Sequence, residues 1–333
     1  MNLSDHFFWQ QPGWLEQAID WIDHQLDRLG SIRAGTLTQP HTRPWSTVLQ
    51  VPTSTGALFF KASAPTLAHE ITATQWLAGH FPDCILPVLA ADPERGWMLL
   101  PDGGPRLREV LRAEATPQRW ESVLRRYAEL QIESSQHVPA LLELGVPDRR
   151  TNNLPDLYTG ILADESILLV DHPDGLTTTQ LDLLNRLFPY LVQICQELDA
   201  STIPTGIHHG DFHDGNIFYQ AGHYFFFDWG DCSISHPFFS LRTTFVSLEN
   251  TFDLAEGGLE FDRLRDVYLE PWTKYASRTE LLEIFKLSRR LAPLCSALSW
   301  QRVVSSTPKS LRGDAVYAVP GLLQEFLELN TSL

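Results

Sequence analysis

A five-residue break, Pro101-Asp-Gly-Gly-Pro105, sets the firmest limit on how this chain can fold. Two prolines and two adjacent glycines in five positions continue neither a helix nor a strand. Ahead of the break, Trp14, Ala18, Ile22, Leu26 and Leu29 recur at helical spacing and predict a helix over 13–29. Strand-like runs follow at Ser31–Leu37, Ser46–Val51 and Ala57–Ala62, the last two joined as a hairpin by Thr53-Ser-Thr-Gly56. Pro65 opens a helix through about Gly79, and strands are expected at Ile85–Ala91 and Gly96–Leu100. Behind the break, helical patterns dominate near 117–136, 154–164, 177–198, 236–249, 261–275 and 279–300, around one β-island at 206–228. Strands gathered in one part and helices in the other predict an α+β chain with two lobes. The expected division is a small β-rich N-terminal lobe over 1–101, a hinge over 102–105 and a larger, mainly helical lobe over 106–333.

Composition narrows the partners. With 333 residues, 43% of them hydrophobic, the chain can bury a core without staples. Its formal charge is −16, and the first 280 residues carry −18. That sign argues against nucleic acid, which is met by basic surfaces, and either favours cationic partners or serves plain solubility. Cys84, Cys195, Cys232 and Cys295 form no C-x-x-C pair, so a disulfide framework is not expected and a reducing cytoplasm fits. Asp5, Glu16, Asp20 and Asp23 crowd the N-terminus without a basic segment, unlike a secretory signal. The longest charge-free stretch, Pro44 to Phe60, is interrupted by Pro, Ser and Thr and does not read as a membrane span. Nothing in the sequence marks an obligatory protein partner.

The chemistry concentrates in His208-His-Gly-Asp211-Phe-His-Asp-Gly-Asn216, followed by Ile217-Phe-Tyr-Gln220, a turn at Ala221-Gly222, and His223-Tyr-Phe-Phe-Phe-Asp228-Trp-Gly-Asp231. The runs flanking the turn read as a hairpin, which would return Asp228 towards Asn216. An amide oxygen and a carboxylate are hard ligands, suited to Mg²⁺. Asp211, in the loop leading in, could accept the proton of a hydroxyl. The same residues leave two other readings open. Asp211 and Asn216 suit a plain turn, and His208, His209, Asp211, His213 and His223 could serve a zinc hydrolase. Upstream, Lys61 is the only lysine in the first 273 residues and sits in the apolar strand Leu58-Phe-Phe-Lys61-Ala62. A compact ammonium in that setting is the group needed to meet phosphate oxygens.

The pattern His209-Gly-Asp211, four residues, Asn216, then Asp228-Trp resembles the aminoglycoside phosphotransferase and choline-kinase-like family, over roughly residues 30–250. The resemblance implies a two-lobed protein-kinase-like fold and ATP- and Mg²⁺-dependent phosphoryl transfer to the hydroxyl of a small-molecule acceptor. It implies Asp211 as the base, Asn216 and Asp228 as Mg²⁺ ligands, and His209 as a support of the loop. Glu70, in the helix after Lys61, resembles the acid that holds the phosphate-binding lysine. Leu99-Leu100-Pro-Asp102-Gly-Gly resembles the linker whose backbone meets the adenine edge.

Three departures stand out against that family. The expected phosphate-covering segment, Thr38–Trp45, has no glycine, leaving Arg43 and His41 as candidate substitutes. Ser240 stands where relatives carry an Asp that supports the loop, with Asp231 as a candidate compensation. Asp214 occupies a position often taken by Pro. These departures keep a catalytically silent nucleotide-binding module in view beside the kinase. Finally, the acidic residues Asp231, Glu249, Asp253, Glu256, Glu260 and Asp262 suggest an acceptor that carries an amine.

Overall fold

The computed structural model describes residues 7–331, so Asp5 lies outside the described residues. Contacts divide the chain into two compact units: residues 1–106 with 217–230 and 303–313, and residues 107–216 with 231–302 and 314–333.

The first unit opens with α1 (Trp14–Arg28), followed by β1 (Thr38–Thr42), β2 (Ser46–Thr53), β3 (Gly56–Ser63), α2 (His69–His80), β4 (Ala90–Asp92) and β5 (Trp97–Pro101). The strands form one antiparallel sheet in the order β1-β2-β3-β5-β4. Alternation along the strands decides what each face does. Leu49 and Val51 of β2, Phe60 and Ala62 of β3, and Trp97 and Leu99 of β5 join Trp14, Ala18, Ile22 and Leu26 of α1 in one buried cluster. Lys61 and Ser63 therefore project from the other face of β3, where Glu70 of α2 meets them.

The second unit contains α3 (Leu107–Glu114), α4 (Arg119–Ser134), α5 (Val138–Glu143), α6 (Leu154–Leu162), α7 (Glu165–Leu168), α8 (Thr178–Asp199) and the strand β6 (Gly206–His208). The chain then enters the hairpin β7 (Ile217–Gln220) and β8 (His223–Phe226), which belongs to the first unit. Its pairs run from Ile217–Phe226 to Gln220–His223, closed by Ala221 and Gly222, both with positive φ, as a tight two-residue hairpin turn requires. Then come β9 (Ser233–Ser235), paired with β6, and α9 (Leu241–Phe252), α10 (Leu259–Leu269), α11 (Arg278–Ser306) and α12 (Ala318–Thr331). Among the described residues, no helix is long and apolar enough to cross a membrane.

Two expected strands differ. Ser31–Leu37 forms only an isolated bridge, Arg33 to Thr53, and the edge strand is instead Thr38–Thr42. Every residue of that strand is exposed, so it carries no apolar alternation to read. Its Pro40 is tolerated because an edge strand leaves one side of the ladder unused. Of Ile85–Ala91, only Ala90 and Ala91 are strand; Ile85 and Leu86 are buried without being one.

Candidate active site

In the first unit, β3 places Lys61 so that its Nζ donates to Glu70 Oε1 at 2.5 Å and to Asp228 Oδ1 at 2.6 Å. Lys61 is 9% exposed. Burial works against its charge, but the carboxylates of Asp228 and Glu70 outweigh that and hold its pKa above the ordinary lysine value. An ammonium has three N–H donors, and two are committed here. Ser63, two residues along the same strand face, donates to the other Glu70 oxygen at 2.6 Å, so both oxygens of the buried acid are engaged. Gly230 leaves room for this group, since a Cβ there would come within 3.3 Å of Glu70 Oε2. Asp228 follows β8 with φ +67°, a left-handed backbone that Asp tolerates better than most residues. Its side chain is 47% exposed.

The expected phosphate-covering segment is shorter than its sequence span, because Thr38–Thr42 belongs to β1. Arg43-Pro-Trp45 makes the connection, closed by Arg43 N–H to Ser46 O at 2.8 Å and tied down by Trp9 Nε1–H to Arg43 O at 2.8 Å. His41 donates to or accepts from Ser46 Oγ at 3.1 Å. Partial desolvation of its ring lowers its pKa; Asp228 opposes that effect, and the nearby positive charges of Lys61, Arg43 and Arg106 reinforce it. Leu100 pairs with Phe59 in the sheet, and Asp102 is exposed, with Oδ1 accepting the Gly104 N–H at 2.9 Å. Gly103 lies against Phe218, where a Cβ would come within 2.3 Å of the ring.

In the second unit, the loop His209–Asn216 presents Asp211, whose side chain is 44% exposed. Asn216 Nδ2 donates to the Asp211 backbone oxygen at 2.9 Å and to Asp211 Oδ2 at 3.1 Å. A carboxylate only accepts, so the amide nitrogen must face Asp211 and the amide oxygen of Asn216 is turned away from it. That leaves an oxygen suited to a hard cation. Asp214 is 1% exposed and ion-pairs with Arg108 of α3 at 2.7 Å. Its partners are Arg108, His213 and Ser247; although burial opposes ionisation, they hold its pKa below the usual carboxylate value.

Beneath the loop lies a neutral network. Tyr127 of α4 accepts the His209 N–H at 3.0 Å and shares a hydrogen bond with Ser240 Oγ at 2.8 Å, and Gln131 Nε2 lies 3.3 Å from both hydroxyl oxygens. Gln131 also donates to Ile207 O and Pro237 O, both at 3.1 Å. The Tyr127 ring stacks on Phe212, centroids 3.8 Å apart. Ser240 thus reaches the loop through a tyrosine, without the charge a carboxylate would bring. His209 is buried, and its Nδ1 accepts the Asp211 N–H at 3.3 Å. Gly210 has φ +85°, and a Cβ there would stand 2.3 Å from Asp231 O. We therefore expect Gly210→Ala to lose at least about 2 kcal/mol of stability, from backbone strain and the clash together. Thermal and urea unfolding measure this, and an unchanged midpoint would show that the loop is not pinned.

The histidine-rich stretch does not assemble a zinc site. His208 is buried on β6 against Ser233 Oγ at 3.3 Å, and burial pushes its pKa down to about 3. His213 faces Asp211 and Arg108. Among the described residues, no three His, Cys, Asp or Glu side chains are grouped to hold a metal ion. Three of the six acidic residues in the run after the hairpin are matched by arginines: Glu256 with Arg289, Glu260 with Arg263, and Asp262 with Arg265. Glu249 and Asp253, with Leu111, Arg112 and Phe252, line a cavity of about 770 Å³.

Sequence reasoning missed Arg108, Tyr127 and Gln131, which sit on helices outside the motif. Ser63 carried a usable signal, since strand periodicity puts it on the face of Lys61.

An antiparallel sheet holding a lysine–glutamate pair, together with a mostly helical unit that carries the aspartate loop, defines a protein-kinase-like phosphotransferase fold. The sequence pattern of the phosphotransferase enzyme family (APH) matches residues 41–294, and the chain belongs to that family. No curated protein sequence matches it significantly. Among solved structures, a choline kinase from Cryptosporidium parvum is similar at 13% identity, covering 96% of each chain with a TM-score of 0.62. A choline/ethanolamine kinase family protein from Mesorhizobium loti shares 14% identity over 94% of this chain and 95% of its own, TM-score 0.61. An aminoglycoside phosphotransferase from Streptomyces rimosus, solved with ADP and streptomycin, shares 16% identity over 84% of this chain and 98% of its own, TM-score 0.53.

Proposed function

We propose that this protein is a small-molecule kinase that moves the γ-phosphoryl group of ATP to a hydroxyl of its acceptor, with Mg²⁺. The observation that carries this reading is Lys61, buried and held charged by Glu70 and Asp228, with one of its three N–H donors left to meet a phosphate oxygen. Asn216 and Asp228 would hold Mg²⁺, which when bound offsets negative charge on the phosphate oxygens. Asp211 takes the acceptor's hydroxyl proton as that oxygen bonds to phosphorus and the bond to ADP's terminal oxygen breaks. Leu100 and Asp102 would offer backbone groups to the adenine. His209, Ser240 and Asp231 would keep the loop in place. Four buried free cysteines fit a reducing compartment such as the cytoplasm. Glu249 and Asp253 favour an acceptor that carries an amine beside its hydroxyl, through the cavity they line.

The test combines a thermal shift with Mg·ATP and an ATP-consumption screen against aminoglycosides, amino alcohols, sugars and nucleosides. Stabilisation by nucleotide with acceptor-dependent ADP release is the expected result. Stabilisation without turnover would identify a silent nucleotide-binding module, and no response to nucleotide would overturn the reading altogether.

A further inference from the structure

Two donors converge on one oxygen of Asp211. Asn216 Nδ2 lies 3.1 Å from Oδ2, and His213 Nε2 lies 3.2 Å from the same Oδ2. The other ring nitrogen shows which way the imidazole is set. His213 Nδ1 faces the Gly215 N–H at 2.9 Å and Arg108 Nη2 at 3.2 Å. Both are donors, so in the neutral ring Nδ1 is the accepting nitrogen and the proton sits on Nε2, pointing at Asp211; a doubly protonated ring keeps the same Nε2–H.

Arg108 is itself fixed. Its Nε donates to Asp214 Oδ1 at 2.8 Å, and the buried Asp214 also accepts from Ser247 Oγ at 3.2 Å. Gly215 completes the fit: a Cβ there would stand 2.6 Å from His213 Cε1 and 3.0 Å from Arg108 Cζ. The order of support runs from Asp214 to Arg108, from Arg108 to His213, and from His213 to Asp211. The unusual Asp214 therefore sits at the anchored end of this chain, and α3 supplies its arginine from outside the motif.

We propose that His213 is a positioning residue for phosphoryl transfer: with Asn216 it captures Oδ2 of Asp211, so that Oδ1 is the oxygen presented to the acceptor hydroxyl. This rests on the kinase reading above. Orientation of a base is worth a large part of a rate, because small misplacements of reacting groups are costly. Arg108 and Asp214 act one step further back, through the ring.

Two substitutions separate positioning from mere packing. In His213→Asn the short amide can still accept near Nδ1, serving Gly215 and Arg108, but nothing reaches Asp211. In His213→Gln the longer amide returns an N–H near the Nε2 position. With Mg·ATP and the fastest acceptor from the screen, His213→Asn is expected to lose about 10- to 100-fold in kcat, with KM for Mg·ATP within about twofold of wild type. His213→Gln is expected to recover most of that loss. Equal rates for the two variants, or an undiminished His213→Asn, would overturn the proposal while wild-type turnover left the kinase reading standing. Wild type without turnover would remove the kinase reading first, and this role with it. A readout free of activity uses the intact protein: two-bond ¹H–¹⁵N spectra of His213 should show a protonated Nε2. A bare Nε2 cannot donate to Asp211 and would overturn the proposal even if His213→Asn failed to fold.

Discussion

Asp211→Asn should lose about 10²- to 10⁴-fold in kcat while binding Mg·ATP nearly as well as wild type. The substitution isolates basicity because it preserves shape. Asp211 Oδ2 receives the N–H groups of Asn216 and His213. An asparagine in its place satisfies both donors only by turning its amide oxygen towards them. Its NH₂ then occupies the position of Oδ1, where the acceptor's hydroxyl would have to surrender a proton. A donor stands where a base is needed, in an otherwise unchanged loop. Tyr127 still receives the His209 N–H, and Gly210 still packs against Asp231. Steady-state kinetics paired with nucleotide titration calorimetry make the comparison. Turnover within a few-fold of wild type would remove Asp211 from the role of base, whatever its geometry.

How much of this was readable beforehand follows from how far apart in sequence the interacting groups lie. Lys61 and Glu70 stand nine residues apart, on a strand and the next helix, and the scarcity of lysine singled out the first of them. Asp211 and Asn216 share one loop, so their spacing already implied contact. The hairpin from Ile217 to Phe226 was legible because its turn chemistry is local. Arg108 meets Asp214 across 106 positions, and Tyr127 meets Ser240 across 113. Nothing in either helix marks its partner, since a buried polar contact depends on packing that no local pattern encodes. The same limit explains the acidic run. Pairing of Glu260 with Arg263 and of Asp262 with Arg265 follows ordinary helical spacing and was open to inspection. Arg289, which takes Glu256 of the turn before α10, comes from α11. The edge strand Thr38–Thr42 escaped for the opposite reason: with no buried face, it has no pattern to display.

Asp228→Asn should weaken Mg²⁺-dependent ATP binding by more than about 100-fold and reduce turnover below detection, with little change in stability. Asparagine is the informative replacement because Asp228 has φ +67°, a conformation that Asn shares readily and that costs Ala roughly 1 kcal/mol. The amide oxygen can still accept from Lys61 Nζ, now 2.6 Å from Asp228 Oδ1, so the lysine keeps its direction. Glu70, bound to the same ammonium at 2.5 Å and braced by Ser63, keeps it charged. The half-exposed Asp228 contributes little burial, so the melting temperature should stay within a few degrees of wild type. What disappears is one negative charge at the position proposed to hold Mg²⁺, and a neutral amide is a far weaker ligand for a hard divalent cation than a carboxylate. Calorimetry with ATP in Mg²⁺ and in EDTA separates the two contributions. Affinity in EDTA should be nearly the same for both proteins, because Lys61 still faces the phosphates, while the gain from Mg²⁺ should be lost in the variant. An equal gain from Mg²⁺ in both would place the metal elsewhere and leave Asp228 as no more than a partner of Lys61.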